Sequence, residues 1–137
     1  MDFQKFIEYR NTRNPFSQHM GYITVEAAPG YAKLVKTITE TDMNPFGNAH
    51  GGVYYGLADT TAGAASATHG RKTVTVNGTY NYLRGAVLGD VLTAEAREVK
   101  CGRTIGVYDV EIRDQNDRVL GTGTFTFFMM DDELNYM

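Results

Sequence analysis

Residues 44–59 read NPFGNAHGGVYYGLAD. The stretch opens on a Pro/Gly turn, passes His50-Gly51-Gly52, and enters an apolar run that holds one carboxylate, Asp59. Two of its features oppose stability. A helix that begins on two glycines gives up backbone order that alanines would keep. A carboxylate in an apolar run is costly if it is buried ionised and unpaired. Local conflicts of this kind concentrate at functional sites. The same stretch decides the fold. Residues 51 to about 68 are rich in Ala and Leu, carry few β-branched side chains and stop near His69-Gly70, which marks them as a helix.

Working outward, Phe3, Phe6, Ile7 and Tyr9 recur at roughly helical spacing. A short amphipathic helix is therefore expected within residues 1–16, followed by a turn at Asn14-Pro15. The run MGYITVEAAPGYAKLVKTIT, residues 20–39, reads as two strands about Pro29-Gly30. After the helix the character changes. Residues 73–83, 90–100, 103–113 and 118–129 are dominated by Val, Tyr, Phe, Ile and Thr, often in alternation, with turn chemistry at Arg84-Gly85, Gly89-Asp90 and Cys101-Gly102. Helix, two strands, long helix and four strands make an α+β chain with an antiparallel sheet, not a series of βαβ units. The long helix must cover one face of that sheet, and its nearly all-round apolar character suits a helix that a sheet wraps. No repeat or linker divides the chain, so residues 1–137 are expected to form a single domain.

The 137 residues are enough for a real core, and 42% hydrophobic with 21% charged residues is ordinary for a globular protein. A formal net charge of −3 leaves no basic footprint, so nucleic acid is not an expected partner. The one cysteine, Cys101, excludes an internal disulfide or a multi-cysteine metal site. It suits a reducing compartment and reads as a packed thiol. No apolar run is long enough for a helical membrane span, and the first residues lack an apolar signal core. A cytoplasmic protein with no membrane partner is the expectation.

Familiar catalytic motifs are missing: there is no G-x-S-x-G and no G-x-x-x-x-G-K-[ST]. Asp42 to Gly47 begins like a calcium loop but fails, with Phe46 at a ligand position and Val53 where the bidentate Glu belongs. His19, His50 and His69 lie far apart, none with a ligand four residues on, so no metal site is expected. Within the helix, Gly52, Gly56, Asp59, Gly63 and Ser66 share one face. That face is either a seam for close helix packing with Asp59 as a paired structural acid, or a channel cleared of side chains beside a general base or nucleophile. Gly51 and Gly52 lie in the first turn, whose unpaired N–H groups and partial positive charge can polarise a carbonyl. His50 reads first as the residue that fixes this turn, and second as an acid–base group, because the helix N-terminus disfavours an imidazolium. Tyr54, Tyr55, Tyr80 and Tyr82 either pack the core or border the site, where they would suit an aryl or medium-chain acyl group.

The pattern Asn44-x-x-Gly47-x-x-His50-Gly51-Gly52-x-x-x-x-Leu57-x-Asp59 resembles the signature of the PaaI-like hot-dog thioesterases. The downstream strands, from NYLRG to GTGT, resemble that family's tail, and the likeness spans about residues 31–128. The resemblance implies a hot-dog fold, a long helix wrapped by an antiparallel sheet. It implies hydrolysis of acyl-CoA thioesters with no metal and no organic cofactor. By the family pattern Asp59 is the catalytic carboxylate, the Gly51 amide polarises the thioester, Asn44 positions the carbonyl or the water, and Thr75 supplies a hydroxyl from the strand after the helix. His50 completes the catalytic set, and Gly52, Tyr54, Tyr55, Arg84 and Arg103 are candidate substrate contacts. Arg84-Gly85 stands where the family usually has a proline, which loosens the loop expected near the CoA. Gly51 and Asp59 lie eight residues apart on one helix, a rise of roughly 12 Å, so the base is expected from a second copy of the helix in a dimer with shared sites, and the resemblance implies a dimer of such dimers, a tetramer. Two other readings remain open from the residues: a hydratase or dehydratase of acyl thioesters using His50 with Asp59, and a non-catalytic acyl-CoA-binding module. A lipid-carrier cavity protein would lack the Asn44/Asp59 pair.

Overall fold

A computed structural model of the chain describes residues 1–135. The elements run α1 (Phe3–Thr12), α2 (Pro15–Met20), β1 (Ile23–Ala28), β2 (Tyr31–Thr37), a 3-10 turn (Glu40–Asp42), α3 (Gly51–Ala67), β3 (Arg71–Tyr82), β4 (Val91–Cys101), β5 (Ile105–Arg113) and β6 (Val119–Glu133). The six strands form one sheet in the order β1-β2-β4-β5-β6-β3, with every pairing antiparallel. α3 crosses the inner face and packs on the strands. This is the α+β hot-dog fold expected from the sequence.

Small residues let helix and sheet approach. Ala58, Ala62 and Ala65 of α3 and Ala94 and Ala96 of β4 are fully buried. Larger groups such as Leu34, Ile112 and Phe125 fill the space around that close contact. α3 is not buried all round in this chain, contrary to the sequence expectation. Gly52 and Tyr55 are exposed, and Gly51, Gly56, Asp59 and Gly63 are partly so. The strip of small residues is open or half-open from Gly52 to Gly63, but Ser66 at its far end is fully buried, its hydroxyl bonded to that of Thr73 on the sheet.

The N-terminal segment departs from the sequence reading. Asn14-Pro15 does not merely turn the chain; it starts α2. The Asn14 side chain accepts the Ser17 N–H, Pro15 holds the first helical position, and Gly21 closes the helix at φ 71°. α1 lies against β1, where the Asn11 carboxamide exchanges hydrogen bonds with both the N–H and the C=O of Thr24 (2.8 and 2.9 Å). Those bonds satisfy backbone groups on an edge strand. Cys101 is exposed, not a packed thiol. β6 continues past the expected end at Met129 to Glu133.

A bulge at Val76 sets the face that β3 turns to the helix. The pairing of β3 with β6 shifts register between Thr75 and Asn77. Strand side chains alternate with a period of two, so Thr75 would otherwise share a face with Asn77 and Thr79. The extra residue puts Thr75 on the helix side together with Gly78, Tyr80 and Tyr82.

Candidate active site

The segment before α3 is held by its own polar groups. The Asn44 side-chain oxygen accepts the N–H groups of Phe46 (2.9 Å) and Asn48 (3.1 Å), and Asn44 N donates to Asn48 O (2.7 Å). The Asn44 carboxamide NH₂ has no hydrogen-bond partner among the described residues. His50 is the N-cap of α3: Nδ1 accepts the Gly52 N–H at 2.9 Å and its carbonyl accepts the Val53 N–H. Acceptance at Nδ1 puts the ring proton on Nε2 and leaves the imidazole neutral. The Gly52 donor is thus spent on the cap, which leaves the Gly51 N–H as the first-turn donor without a partner among the described residues. The Gly51 carbonyl accepts the Tyr82 hydroxyl at 3.0 Å. Burial and the neighbouring Tyr55 raise the Tyr82 pKa, so this donor stays protonated.

Asp59 lies two turns further along α3, on the open face. Its Oδ1 accepts the Thr75 hydroxyl at 2.7 Å, a bond that depends on the Val76 bulge. The other carboxylate oxygen has no partner among the described residues. Asp59 and Gly51 are separated by a rise of roughly 12 Å at about 1.5 Å per residue, so one chain does not bring them together.

The candidate substrate contacts divide. Tyr54 is buried, its hydroxyl accepts the Ala86 N–H at 2.7 Å, and its ring meets Tyr82 edge-on. Tyr55 is exposed and donates to Gly78 O. Arg84 and Gly51 line a common cleft of about 310 Å³ with Tyr82. Arg103 lies elsewhere: its carbonyl accepts from Arg71, near the end of the sheet where α3 finishes.

The sequence reading missed a buried ion pair beside this site. Lys36 Nζ lies 2.8 Å from Asp42 Oδ2, with the side chains 4% and 5% exposed. Lys36 also donates to Met20 O at the end of α2, Asp42 caps the N–H and hydroxyl of Thr39, and the Asp42 carbonyl accepts the His50 N–H. The pair therefore joins α2, the 3-10 turn and the start of α3. A signal was present: in YAKLVKT, Lys36 is in phase with Ala32 and Leu34, the buried side of the strand.

A helix laid in a single antiparallel sheet, with a carboxylate on its open face, places the chain in the hot-dog class, and known proteins narrow that class. The thioesterase superfamily profile matches residues 46–120. The acyl-coenzyme A thioesterase PaaI of Escherichia coli K12 is 33% identical over 101 residues, which are 74% of this chain and 72% of that protein. The structure of the E. coli PaaI protein from the phenylacetic acid degradation operon superposes with a TM-score of 0.90 at 25% identity, covering 96% of this chain and 98% of the other. A hypothetical thioesterase of Streptococcus pneumoniae TIGR4, solved with coenzyme A, gives a TM-score of 0.79 at 33% identity over 82% and 88% of the two chains. That protein is also solved with an Asp-to-Ala change and with a Thr-to-Ala change. The chain belongs to the thioesterase superfamily, in its PaaI-like hot-dog branch, and is a thioester hydrolase.

Proposed function

We propose that the chain hydrolyses acyl-CoA thioesters to the free acid and CoA, as one catalytic domain that needs neither metal nor organic cofactor for the reaction. The observation that carries this reading is the Asp59 carboxylate, oriented by Thr75 with one oxygen free on the open face of α3. A thioester carbonyl is electrophilic and a thiolate leaves readily. A carboxylate that activates water or attacks directly, with a donor for the developing oxyanion, is sufficient. The Gly51 N–H is that donor, and glycine lets the carbonyl come close. The Asn44 NH₂ is placed to position the carbonyl or the water. His50 acts through its cap, by directing the Gly52 N–H away from substrate. Tyr55 and Tyr82 border the acyl end and favour an aryl or medium-chain group. Arg84, and less directly Arg103, offer charge to the CoA phosphates. The test is thiol release across a panel of acyl-CoA esters. Turnover of aryl or medium-chain members supports the reading; binding of all with release from none refutes it in favour of a binding module.

The positioning groups have graded effects. Asn44→Ala and Thr75→Ala are each expected to lower kcat by about 10²-fold or less, since each removes one hydrogen bond. Thr75→Ser should keep near-normal turnover. Equal damage from Ser and Ala would assign the methyl group, not the hydroxyl, to the effect.

The site is shared between two chains in this reading. An oxyanion donor stands about 3 Å from the carbonyl oxygen, and the base must reach a water at the same carbon. The roughly 12 Å rise from Gly51 to Asp59 exceeds what one thioester bridges. Asp59 must then act on a carbonyl held by Gly51 of a second copy, packed antiparallel through the open small-residue face about a two-fold axis. Two such dimers would form the tetramer expected from the family resemblance. Refolding a mixture of Asp59→Ala and Asn44→Ala chains should restore activity well above either parent, because one site per mixed dimer regains both groups. Mixed dimers without activity would put both groups in one chain.

A further inference from the structure

No metal site is expected from the sequence, where His19, His50 and His69 lie far apart and none has a ligand four residues on. The fold assembles a set from distant segments. We propose that His69, Glu98 and Cys101 form a binding site for a zinc-class divalent cation at the end of α3 remote from Gly51. His69 Nε2 lies 2.6 Å from Glu98 Oε1, and a ring nitrogen of His69, a carboxylate oxygen of Glu98 and the Cys101 Sγ all lie within 4.8 Å of one another. Tetrahedral zinc, with bonds of about 2.0–2.3 Å, spaces its ligand atoms roughly 3.3–3.8 Å apart. Side-chain movements of about 1 Å bring the three atoms to that spacing, and His69 and Cys101 are both exposed, with the hydrogen bonds that each makes to Glu98 as the contacts a metal would replace.

The backbone is shaped for this convergence. Glu98 and Cys101 are three positions apart on β4, and strand alternation would send them to opposite faces. The pairing of β4 with β5 shifts register between Glu98 and Lys100, and the bulge returns both to one side. His69 arrives from the turn that ends α3. Behind the set, the hydroxyl of Tyr108 donates to Glu98 Oε1 at 2.8 Å, and the Tyr108 ring is fully buried against Phe127. A hydrogen bond of that kind from a fixed group orients a ligating carboxylate.

The donor set selects the metal. Thiolate, imidazole and one carboxylate suit zinc and its substitutes, whereas calcium and magnesium ask for all-oxygen sites. Binding replaces the His69–Glu98 hydrogen bond with two metal bonds, and the Cys101 thiol gives its proton to solvent. Water fills the fourth position from the open side. The bound ion would clip the end of α3 to β4. None of this depends on the reaction proposed above.

The test uses the full, tag-free chain stripped with a chelator and titrated with Co²⁺. Saturation at one ion per chain with thiolate-to-cobalt charge-transfer absorption is expected, with displacement by Zn²⁺. Cys101→Ser should abolish that absorption, and His69→Ala should weaken affinity by about tenfold or more, while both variants keep the wild-type circular dichroism. Tyr108→Phe should weaken affinity by roughly 10-fold or more through loss of the orienting bond. Absence of saturable Co²⁺ and Zn²⁺ binding to the wild type overturns the site, as does binding that is unchanged in both the Cys101 and the His69 variants.

Discussion

Asp59→Asn is expected to lower kcat by about 10³-fold while KM and folded stability stay near wild type. The size follows from removing a general base or nucleophile, worth about 10²–10⁴. The selectivity follows from geometry. Thr75 donates to Asp59 Oδ1, and an asparagine side-chain oxygen can accept the same bond and keep the same orientation. What changes is the second atom, from an oxygen that takes a proton to an NH₂ that cannot. Ground-state contacts therefore survive and only the transition state loses an interaction, which appears in kcat and in kcat/KM alike. Steady-state kinetics with the best substrate of the acyl panel and a thermal melt settle it together. Near-normal turnover would show that Asp59 is not the reacting group. A collapse in melting temperature would make it a structural acid, the alternative that its helix position alone allows.

How much of this was legible in the sequence depends on how local each feature is. The run from Asn44 to Asp59 was legible because an Asn-led turn, an N-cap and a helix are all decided within a few residues. The β-strands were legible from alternation, and so was the shared face of Gly52, Gly56, Asp59, Gly63 and Ser66, by helix geometry alone, but not that the sheet leaves this face partly open while burying Ser66. α2 was missed although its signals were local: Asn before Pro also fits an N-cap followed by the first helical residue, and Gly21 marks the end. The bulges at Val76 and near Val99 could not be read, because strand pairing with β6 and β5 fixes them. They decide where Thr75 and Cys101 point. Thr75 entered through the family resemblance, and the meeting of His69 with Glu98 and Cys101 had no local signal. Lys36 lies between these cases. Its phase with the buried side of β2 was visible, but Asp42, which makes that burial tolerable, comes from the following turn.

The Lys36–Asp42 pair gives the largest stability effect expected away from Asp59. Asp42→Ala should destabilise the chain by about 3–5 kcal/mol, because it strands a buried ammonium ion. Against the roughly 5–15 kcal/mol that holds a typical domain, this is a large loss, and it also removes the acceptor of the Thr39 N–H and hydroxyl. Lys36→Met with Asp42→Ala should cost less than Asp42→Ala alone. The double change buries no charge, although it leaves the Met20 carbonyl and the Thr39 N–H without these partners. The pH dependence has a definite sign. Burial pushes the Asp42 carboxyl up, but the hydrogen bonds from Lys36 and Thr39 and the Lys36 charge outweigh it and hold the pKa below the ordinary value. A carboxyl lowered by folding contributes stability that is complete above its unfolded pKa and is lost as pH falls through its folded one. Wild-type unfolding free energy should therefore drop on the acid side of the normal Asp range, and the double variant should show a shallower drop. Denaturant unfolding at fixed protomer concentration, run from neutral pH down to about pH 3, below the ordinary Asp pKa of about 3.9, measures both. Concentration must be fixed because association would add its own stability. A loss under about 1 kcal/mol in Asp42→Ala, less than breaking a buried pair requires, would mean that water reaches Lys36 in solution. The link from α2 through the 3-10 turn to the His50 amide would then carry little of the order at the start of α3.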